Sequence, residues 1–437
     1  MNTTPAWYRA AVRTAIPFIP LLLRDPRQRA AHLARLGATE RLARWGELGR
    51  DQERPVAWFH APSVGEGLQA RAVVEAFRAQ RPDVQVVFTH YSPSAATFAA
   101  TVSADFRDYL PYDRPLDVER VLTGLKPDLL VFTKLDLWPE LAVRAHAHGV
   151  PIAMVAATVS PQSSRLRWPA RLTTHAGYAS LTLAGAISSG DAARLVRLGC
   201  PEDRIVITGD PRVDSVLGIV DAMPADDPLR RIADPVVTLV AGSTWPEDER
   251  ILLAAFAAVR AQRPDSRLIL VPHDPKPEHL EGIGRAAASA GLEAPEKLST
   301  MSAGSRPAVL IVDQLGVLAR LYAAGGIAYV GGGWGRAGIH SVLEPAAWAR
   351  PVIIGPRDRG SRDAQLVEST GGLVRLPGKE LAVAALTAQW LAWLGNSGER
   401  HAAGQAARAA LTGERGAAWR SAEMLVGLTA RTPTQTR

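Results

Sequence analysis

A glycine-rich stretch in the C-terminal half of the chain has the residue types needed to hold a ligand. Gly331-Gly332-Gly333-Trp334-Gly335 directly follows an apolar run, and a pattern typical of a helix comes after it. Glycines allow a tight turn and close approach of the backbone to a ligand, and the amides at a helix start favour an anion. The spacing matches neither GxGxxG nor a Walker loop. The stretch predicts a phosphate-bearing ligand, and the alternative is a glycine turn that binds nothing.

Two polar side chains follow this loop. His340 and Glu344 are four positions apart, and we expect them on one face of the predicted helix. The chain has no HExxH pattern and no third ligand is placed near the pair, so we expect no metal here. We expect Glu344 to accept hydrogen bonds from ribose hydroxyls instead.

A second candidate for chemistry is Glu66, in the segment Ser63-Val64-Gly65-Glu66 that follows an apolar run ending near His60. The start of a helix favours the ionised carboxylate, which could then take a proton from a substrate hydroxyl. The alternative is that Glu66 only caps the helix.

Polar or glycine-containing loops follow most of the other apolar runs as well. Asp136 either contributes to the same rim or marks an ordinary helix start with Trp138 packed beside it. Arg212 either points at a phosphate or forms a surface ion pair in a turn.

These loops must be positioned by the alternation of short apolar runs with helical patterns, which predicts parallel sheets wrapped by helices. The runs form two series, separated by a segment rich in proline and acid at residues 223–228. We therefore expect two doubly wound α/β domains, with substrate bound where the carboxyl ends of their strands face a cleft. The predicted boundaries are a basic amphipathic arm over 1–50, a first α/β domain over 51–222, a second α/β domain over 229–380, and C-terminal helices with a frayed tail over 381–437.

Composition excludes several classes of protein. The 437 residues are 47% hydrophobic, enough for two cores. The net charge of +7 favours acidic partners, but no nucleic-acid signature is present, so we expect no nucleic-acid binding. The single Cys200 excludes a disulfide framework and a cysteine metal cluster.

The first fifty residues contain nine arginines and three acids, together with large apolar side chains such as Phe18, Leu21 and Leu22. Their apolar run is interrupted by Pro17 and Pro20 and is shorter than the ~20 residues needed to span a bilayer. This mixture predicts docking on an anionic membrane surface. The alternative is a helical arm packed on its own domain.

Together these motifs resemble those of the Kdo transferases, the 3-deoxy-D-manno-octulosonic acid transferases of lipopolysaccharide synthesis. The resemblance runs from about residue 58 to residue 376. It is carried by Ser63-Val64-Gly65-Glu66, Ser92-Pro93-Ser94, Leu110-Pro111-Tyr112-Asp113, Asp136-Leu137-Trp138-Pro139, Gly209 to Asp214, Gly242-Ser243-Thr244, Val271-Pro272-His273 and Gly338 to Pro345.

The resemblance implies a GT-B fold, with two Rossmann-like domains facing a cleft, and transfer of Kdo from CMP-Kdo to the lipid A precursor, lipid IVA. By this resemblance the domain over 51–222 binds the acceptor, the domain over 229–380 binds the CMP-sugar, and the arm over 1–50 associates with the membrane. It also implies an inverting single displacement with no metal or cofactor, carried out by a peripheral protein on the cytoplasmic face of the inner membrane. Two alternatives stay open. One is a GT-B transferase or epimerase that uses another nucleotide sugar, and the other is a non-catalytic relative that binds nucleotide or lipid A.

By the same resemblance, Glu66 is the proton acceptor and Arg212 stands where many members have a lysine that steadies the leaving phosphate. Lys134 stands where many members have a glutamate credited with transition-state stabilisation, and Asp136 is a further possible stabiliser. Ser341 replaces a common asparagine, and Gly333 a common serine. The residues that match CMP-contacting segments are Pro272, His273, Gly316, Val317, Leu318, Gly338, His340, Ser341, Val342, Leu343 and Glu344.

Overall fold

The computed structural model describes residues 3–302, 304–335 and 338–429. It divides into an N-terminal unit, which runs to Ser215 and resumes at Gly416, and a C-terminal unit from Val216 to Arg415. Each unit contains a seven-stranded sheet in which every strand pair is parallel. The predicted architecture of two doubly wound α/β domains is therefore confirmed. The predicted frayed tail at 432–437 lies outside the described residues.

The sheet of the N-terminal unit has the strand order β3-β2-β1-β4-β5-β6-β7. The chain moves outward in one direction through the first three strands and then starts again beside β1, so the carboxyl ends of β1 and β4 form a topological switch point. The strands are β1 (Val56–His60), β2 (Gln85–His90), β3 (Phe106–Tyr109), β4 (Leu129–Thr133), β5 (Ile152–Ala157), β6 (Leu183–Ala186) and β7 (Ile205–Ile207).

Helices cover both faces of this sheet because alternate strand residues point to opposite faces. In β1, Val56 and Trp58 enter one core, and Ala57 and Phe59 enter the other. The helices are α1 (Ala6–Ala15), α2 (Ile19–Leu22), α3 (Pro26–Leu36), α4 (Ala38–Arg44), α5 (Val64–Gln80), α6 (Pro93–Ala99), α7 (Pro115–Leu125), α8 (Pro139–Ala147), α9 (Ala170–Ala179), α10 (Ser189–Leu198) and α11 (Pro211–Ala222), within which the chain passes to the second unit.

The sheet of the C-terminal unit has the order β10-β11-β9-β8-β12-β13-β14, with its switch point between β8 and β12. Its strands are β8 (Thr238–Thr244), β9 (Arg267–Pro272), β10 (Glu296–Lys297), β11 (Val309–Ile311), β12 (Ile327–Val330), β13 (Val352–Ile354) and β14 (Leu373–Arg375). Its helices are α12 (Pro246–Gln262), α13 (Pro277–Ser289), α14 (Leu318–Leu321), α15 (Leu343–Ala347), α16 (Arg362–Ser369), α17 (Lys379–Gly395) and α18 (Ser397–Thr412).

Two boundaries differ from those drawn on the sequence. The segment at 223–228 looks like a linker but belongs to the C-terminal unit, because Met223 is buried in that core and the buried Asp227 pairs with Arg320. The last helix, α19 (Ala417–Val426), returns to the N-terminal unit, where Ala422 and Leu425 join its core.

The N-terminal arm is partly docked on its own domain. Tyr8 donates a 2.7 Å hydrogen bond to the buried Asp113, and Arg9 Nε donates one of 2.8 Å to the buried Glu140. Burial raises the pKa of Asp113 to about 6 against the lowering effect of the hydrogen bonds that it accepts. Arg35, counted on the sequence among the membrane-facing arginines, is buried and donates a 2.6 Å hydrogen bond to the Leu110 carbonyl. That part of the expectation was wrong.

The tip of the arm is different. Phe18, Leu21 and Leu22 are 58%, 79% and 79% exposed. Among the described residues, no helix combines the length and the apolar character needed to cross a membrane.

Candidate functional site

The switch point of the N-terminal sheet brings together two predicted residues that are far apart in sequence. Glu66 lies in the first turn of α5, just after β1, and Lys134 directly follows β4. Since β1 and β4 are neighbouring parallel strands, their following loops meet at one edge. Lys134 Nζ lies 2.9 Å from Glu66 Oε1, and Ser63 Oγ donates to Glu66 Oε2. Both carboxylate oxygens are therefore hydrogen-bonded.

This environment keeps Glu66 ionised. Burial raises the pKa of Glu66, but the charge of Lys134 and the hydrogen bonds from Ser63 and Lys134 outweigh burial, and the net pKa lies below its ordinary value. The Glu66 side chain is 17% exposed and that of Lys134 43%. A solvent-reachable carboxylate that is charged at neutral pH can accept a proton, so its capping and proton-accepting roles remain compatible.

The backbone of Lys134 has a φ of 63°, in the left-handed region that a lysine seldom occupies. Its amide hydrogen-bonds to the Val155 carbonyl at 2.8 Å, which ties this turn to β5. Such conformations persist where the surrounding structure enforces them, and they are concentrated at functional sites.

Asp136 is placed on the same rim but has different partners. Its Oδ2 lies 3.0 Å from His60 Nε2 and accepts a 2.9 Å hydrogen bond from the Trp138 indole. Burial raises the pKa of Asp136, but the hydrogen bonds from His60 and Trp138 lower it by more, so the net pKa lies below its ordinary value. His60, at the end of β1, is fully buried, with Nδ1 3.1 Å from the Thr89 carbonyl. Asp136 thus orients a buried histidine.

Arg212, at the start of α11, is held by its own loop. Its Nε lies 2.9 Å from Oδ2 of the buried Asp210, which also accepts a hydrogen bond from Gln69 at 3.3 Å. Burial raises the pKa of Asp210, but Arg212 lowers it by more. The net pKa lies below its ordinary value, and the carboxylate stays ionised. The Arg212 side chain is 35% exposed. The turn with an ion pair is present, and the guanidinium is pre-oriented by a fixed carboxylate.

In the C-terminal unit, three rings from three different segments stack together. His273 follows β9 and lies 4.7 Å from the Trp245 ring, which follows β8, and 4.5 Å from the His340 ring. The Trp245 indole donates to His340 Nε2 at 3.3 Å, so that nitrogen is an acceptor and the imidazole is neutral. Burial, followed by the neighbouring His273, lowers the pKa of His340 to about 4. The stack offers a flat aromatic surface.

Glu344 lies near the start of α15 and is half-buried. Burial raises its pKa to about 7, and within the described part of the chain its carboxylate has no cation or hydrogen-bond partner. Burial, followed by the neighbouring Glu344, raises the pKa of the Tyr322 phenol well above its usual value. A carboxylate with open acceptor positions suits ligand hydroxyls.

The helix expected after the glycine loop is shorter and later than the sequence indicated. It begins only at Leu343 and has five residues, so His340 and Ser341 precede it and do not share a helical face with Glu344. The glycine loop itself hydrogen-bonds to this segment, His340 N to the Gly331 carbonyl at 3.2 Å. The expectation of a shared helical face was wrong, because the His340 backbone is bonded to the glycine loop and the helix starts three residues later.

The remaining predicted CMP-binding residues fall into three groups. Pro272, Val342 and Leu343 are buried, so their side chains serve the core. Gly316 and Gly338 have φ of 82° each, which only glycine adopts without strain. Val317 and Leu318 are partly buried against the core of the C-terminal unit, beside the exposed Gly316.

A buried network that the sequence did not reveal fixes the glycine loop. Asp248, in the first turn of α12, accepts hydrogen bonds from the Gly332 amide at 3.0 Å and from the Tyr329 hydroxyl at 2.7 Å, and Trp334 donates to that hydroxyl at 2.8 Å. Asp248 also accepts from the Trp245 amide at 3.0 Å. The acid three positions after Trp245 was the available signal, since this spacing is typical of a capping interaction.

Within residues 3–302, 304–335 and 338–429, no cluster of three or more histidine, cysteine or acidic side chains is arranged to hold a metal. Independence from metal stays a prediction.

Comparison with known proteins finds similarity to one family. Residues 28–215 match the family described as 3-Deoxy-D-manno-octulosonic-acid transferase (kdotransferase). The 3-deoxy-D-manno-octulosonic acid transferase of Bordetella pertussis is 28% identical over 434 residues, which cover 96% of this chain and 98% of that protein. The chain is therefore a relative of the Kdo transferases. A Kdo transferase of Haemophilus influenzae is 27% identical over 311 residues, 68% of this chain and 70% of that protein. The present chain, as a relative of these Kdo transferases, is a glycosyltransferase.

Solved structures support the fold. The UDP-GlcNAc 2-epimerase of Neisseria meningitidis bound to UDP-GlcNAc has a TM-score of 0.60 at 12% identity and covers 86% of this chain and 99% of that chain. A glycosyltransferase from Rickettsia africae has a TM-score of 0.53 at 12% identity, over 86% and 98% of the two chains. At such identities the likeness concerns the fold alone, which is of GT-B type.

Proposed function

We propose that this Kdo transferase relative moves Kdo from CMP-Kdo to lipid IVA by a single displacement with inversion. The observation that carries the proposal is Glu66, which is ionised between Ser63 and Lys134 at the switch point of the N-terminal sheet. It occupies the position where the family resemblance implies the proton acceptor. The similarity to Kdo transferases supports Kdo as the sugar. The donor CMP-Kdo, the acceptor lipid IVA and the inverting displacement are part of the proposal.

The chemical step is a proton transfer coupled to a substitution. The Glu66 carboxylate takes the proton of the acceptor hydroxyl, whose oxygen forms a bond to the anomeric carbon of Kdo. The bond from that carbon to the phosphate oxygen breaks, and CMP leaves with the electron pair. An oxocarbenium-like transition state is expected, as in other glycosyl transfers. Arg212, already oriented by Asp210, would donate hydrogen bonds to the leaving phosphate.

The C-terminal unit would recognise the nucleotide. The exposed side of the stack formed by Trp245, His273 and His340 offers an aromatic surface for a base. Glu344 has open acceptor positions for the two ribose hydroxyls, and binding them would favour its ionised form.

A direct assay tests the proposal. The full-length protein is incubated with CMP-Kdo and lipid IVA, and products are measured by mass spectrometry. We expect the mass of the acceptor to increase by one or more Kdo units. Added CMP should inhibit the transfer, and added UDP should inhibit it little. Kdo transfer that UDP inhibits as strongly as CMP would contradict the donor assignment, and an unmodified acceptor would contradict the function.

We also propose that the arm tip brings the protein to an anionic membrane surface, on the cytoplasmic face of the inner membrane. The exposed Phe18, Leu21 and Leu22 would enter the interface, while Arg24 and Arg27 contribute about 1 kcal/mol each near anionic lipid. Docking of Tyr8 and Arg9 on the domain fixes the arm from which the tip projects.

Replacing Phe18, Leu21 and Leu22 by serine is expected to reduce binding to vesicles containing phosphatidylglycerol and transfer to membrane-embedded acceptor. Transfer to detergent-dispersed acceptor should be largely unchanged. Leu48→Ser is the matched control, since Leu48 is 76% exposed in the same arm but lies outside the tip. Equal loss in both acceptor formats would mean that the tip is a structural part of the domain.

A further inference from the structure

We propose that a cavity at the amino-terminal edge of the C-terminal sheet binds the phosphate group of a small phosphorylated molecule. The cavity has a volume of about 390 Å³ and is lined by Arg350, Ser397, Arg400 and His401. This binding site is additional to the nucleotide site proposed above.

The cavity lies at the opposite end of the strands from the predicted nucleotide segments. Val236 and Gly326, which precede β8 and β12, line it, as does Ala349 before β13. The glycine loop and His273 follow the carboxyl ends of the same sheet. A ligand in this cavity would therefore leave the nucleotide segments accessible.

Two guanidinium groups in the wall have hydrogen-bond donors to spare. Arg400 Nη1 donates to the Val236 and Trp393 carbonyls at 3.0 and 2.9 Å. Arg350 donates from Nε and Nη2 to two carbonyls at 3.2 and 3.1 Å. Within the described residues neither guanidinium forms an ion pair with a carboxylate, so each has positive charge and N–H groups left for an anion.

The surrounding charge is predominantly positive. Burial, followed by Arg230 and Arg400, lowers the pKa of Arg350 to about 10. The Arg230 side chain packs over Trp348 at 5.0 Å, and its Nε is buried without a hydrogen-bond partner. Asp234 is the carboxylate that raises the pKa of Arg400, but burial outweighs it and the net shift is downward. Like charges held together in this way are relieved by a bound anion.

The chemistry of the wall indicates the class of ligand. Two guanidinium groups match the several oxygens of a phosphate monoester, and the Ser397 hydroxyl adds a neutral donor. A volume of about 390 Å³ exceeds one phosphate ion and falls in the range of small-molecule sites. A soluble sugar phosphate and a phospholipid headgroup share this chemistry.

The test uses the full-length protein and two probes, glycerol 3-phosphate in solution and vesicles containing phosphatidic acid. Binding is measured by calorimetry and by co-sedimentation, against sodium chloride at equal ionic strength. The informative variant is Ser397→Glu, which adds an anion to the wall beside Arg400. Ser397 is the first residue of α18, where an acid favours the helix, so folding should persist. Ser397→Gln is the neutral control.

We expect Ser397→Glu to raise the dissociation constant of at least one probe about tenfold or more, while Ser397→Gln stays close to the unmodified protein. Arg400→Gln should have a similar effect. The responding probe identifies the source of the phosphate. Absence of binding to both probes would overturn the proposal. So would binding that is retained in Ser397→Glu but lost in Glu344→Ala, because the phosphate would then occupy the nucleotide site.

Discussion

The carboxyl-terminal edges of the two sheets are built on the same topology, but the pKa values of the acids predicted to act at them are shifted in opposite directions. In the N-terminal unit, Glu66 is paired with Lys134 and Asp210 with Arg212, and the pKa of each acid is lowered despite burial. In the C-terminal unit, Glu344 lacks such a cation, and burial alone raises its pKa to about 7.

The buried acids Asp248 and Glu249 follow the same pattern as Glu344. Burial raises the pKa of each, against the hydrogen bonds that they accept. The difference teaches that one edge keeps Glu66 and Asp210 ionised, as the proposed proton transfer requires. The other edge offers aromatic rings and hydrogen-bond acceptors to a ligand.

The largest expected effect breaks the charged side of the comparison. Glu66→Gln should lower the rate of transfer by about 10²–10⁴-fold, because the amide keeps the shape but cannot accept the proton. Binding of CMP, measured by thermal shift, should stay unchanged, since the nucleotide residues belong to the other unit.

Glu75→Gln is the matched control for this prediction, because Glu75 lies on the same helix and its side chain is 60% exposed. Near-native turnover of Glu66→Gln would assign Glu66 to capping alone.

The meeting of Glu66 and Lys134 was within reach of the sequence, because each follows an apolar run and parallel strands end at a common edge. Their ion pair was not, since it depends on the left-handed turn at Lys134. The Trp245 stack depends on three segments converging, which spacing in one segment cannot reveal. The docking of Arg35 was missed because an arginine count does not distinguish a solvated guanidinium from one held by buried carbonyls and rings.

The next effect tests the neutral side. Glu344→Ala should weaken CMP binding about 10-fold to 100-fold, because it removes the acceptor for two ribose hydroxyls. Calorimetric titration with CMP measures this, and Glu293→Ala, an exposed acid of the same unit, is the control. Gly338→Val is a poor test of the same site. Its φ of 82° and the nearby Arg359 side chain make any Cβ unfavourable with or without ligand. Unchanged affinity in Glu344→Ala would place the nucleotide elsewhere.

The state of Glu344 itself can be tested through stability. An acid whose folded pKa is raised to about 7 costs stability as pH rises from its unfolded value of about 4.5 to 7. Glu344→Gln should therefore stabilise the free protein at pH 8 by about 1–2 kcal/mol, a figure reduced for partial exposure, and have little effect at pH 5. Urea unfolding at both pH values measures the difference. Equal effects at pH 5 and pH 8 would show that the carboxylate is already ionised.

The smallest expected effect separates the two edges by pH dependence. In Lys134→Met the cation is lost while burial of Glu66 remains, so the pKa of Glu66 should rise. The acid limb of the kcat/KM profile should then move to higher pH, leaving turnover at pH 8 nearly unchanged and reducing it on the acid side of the profile. Lys134→Arg keeps the charge and should keep the limb in place. A loss of activity that is uniform across pH in Lys134→Met would instead mean that Lys134 acts on the transition state, and the fixed charge of this edge would then serve more than its base.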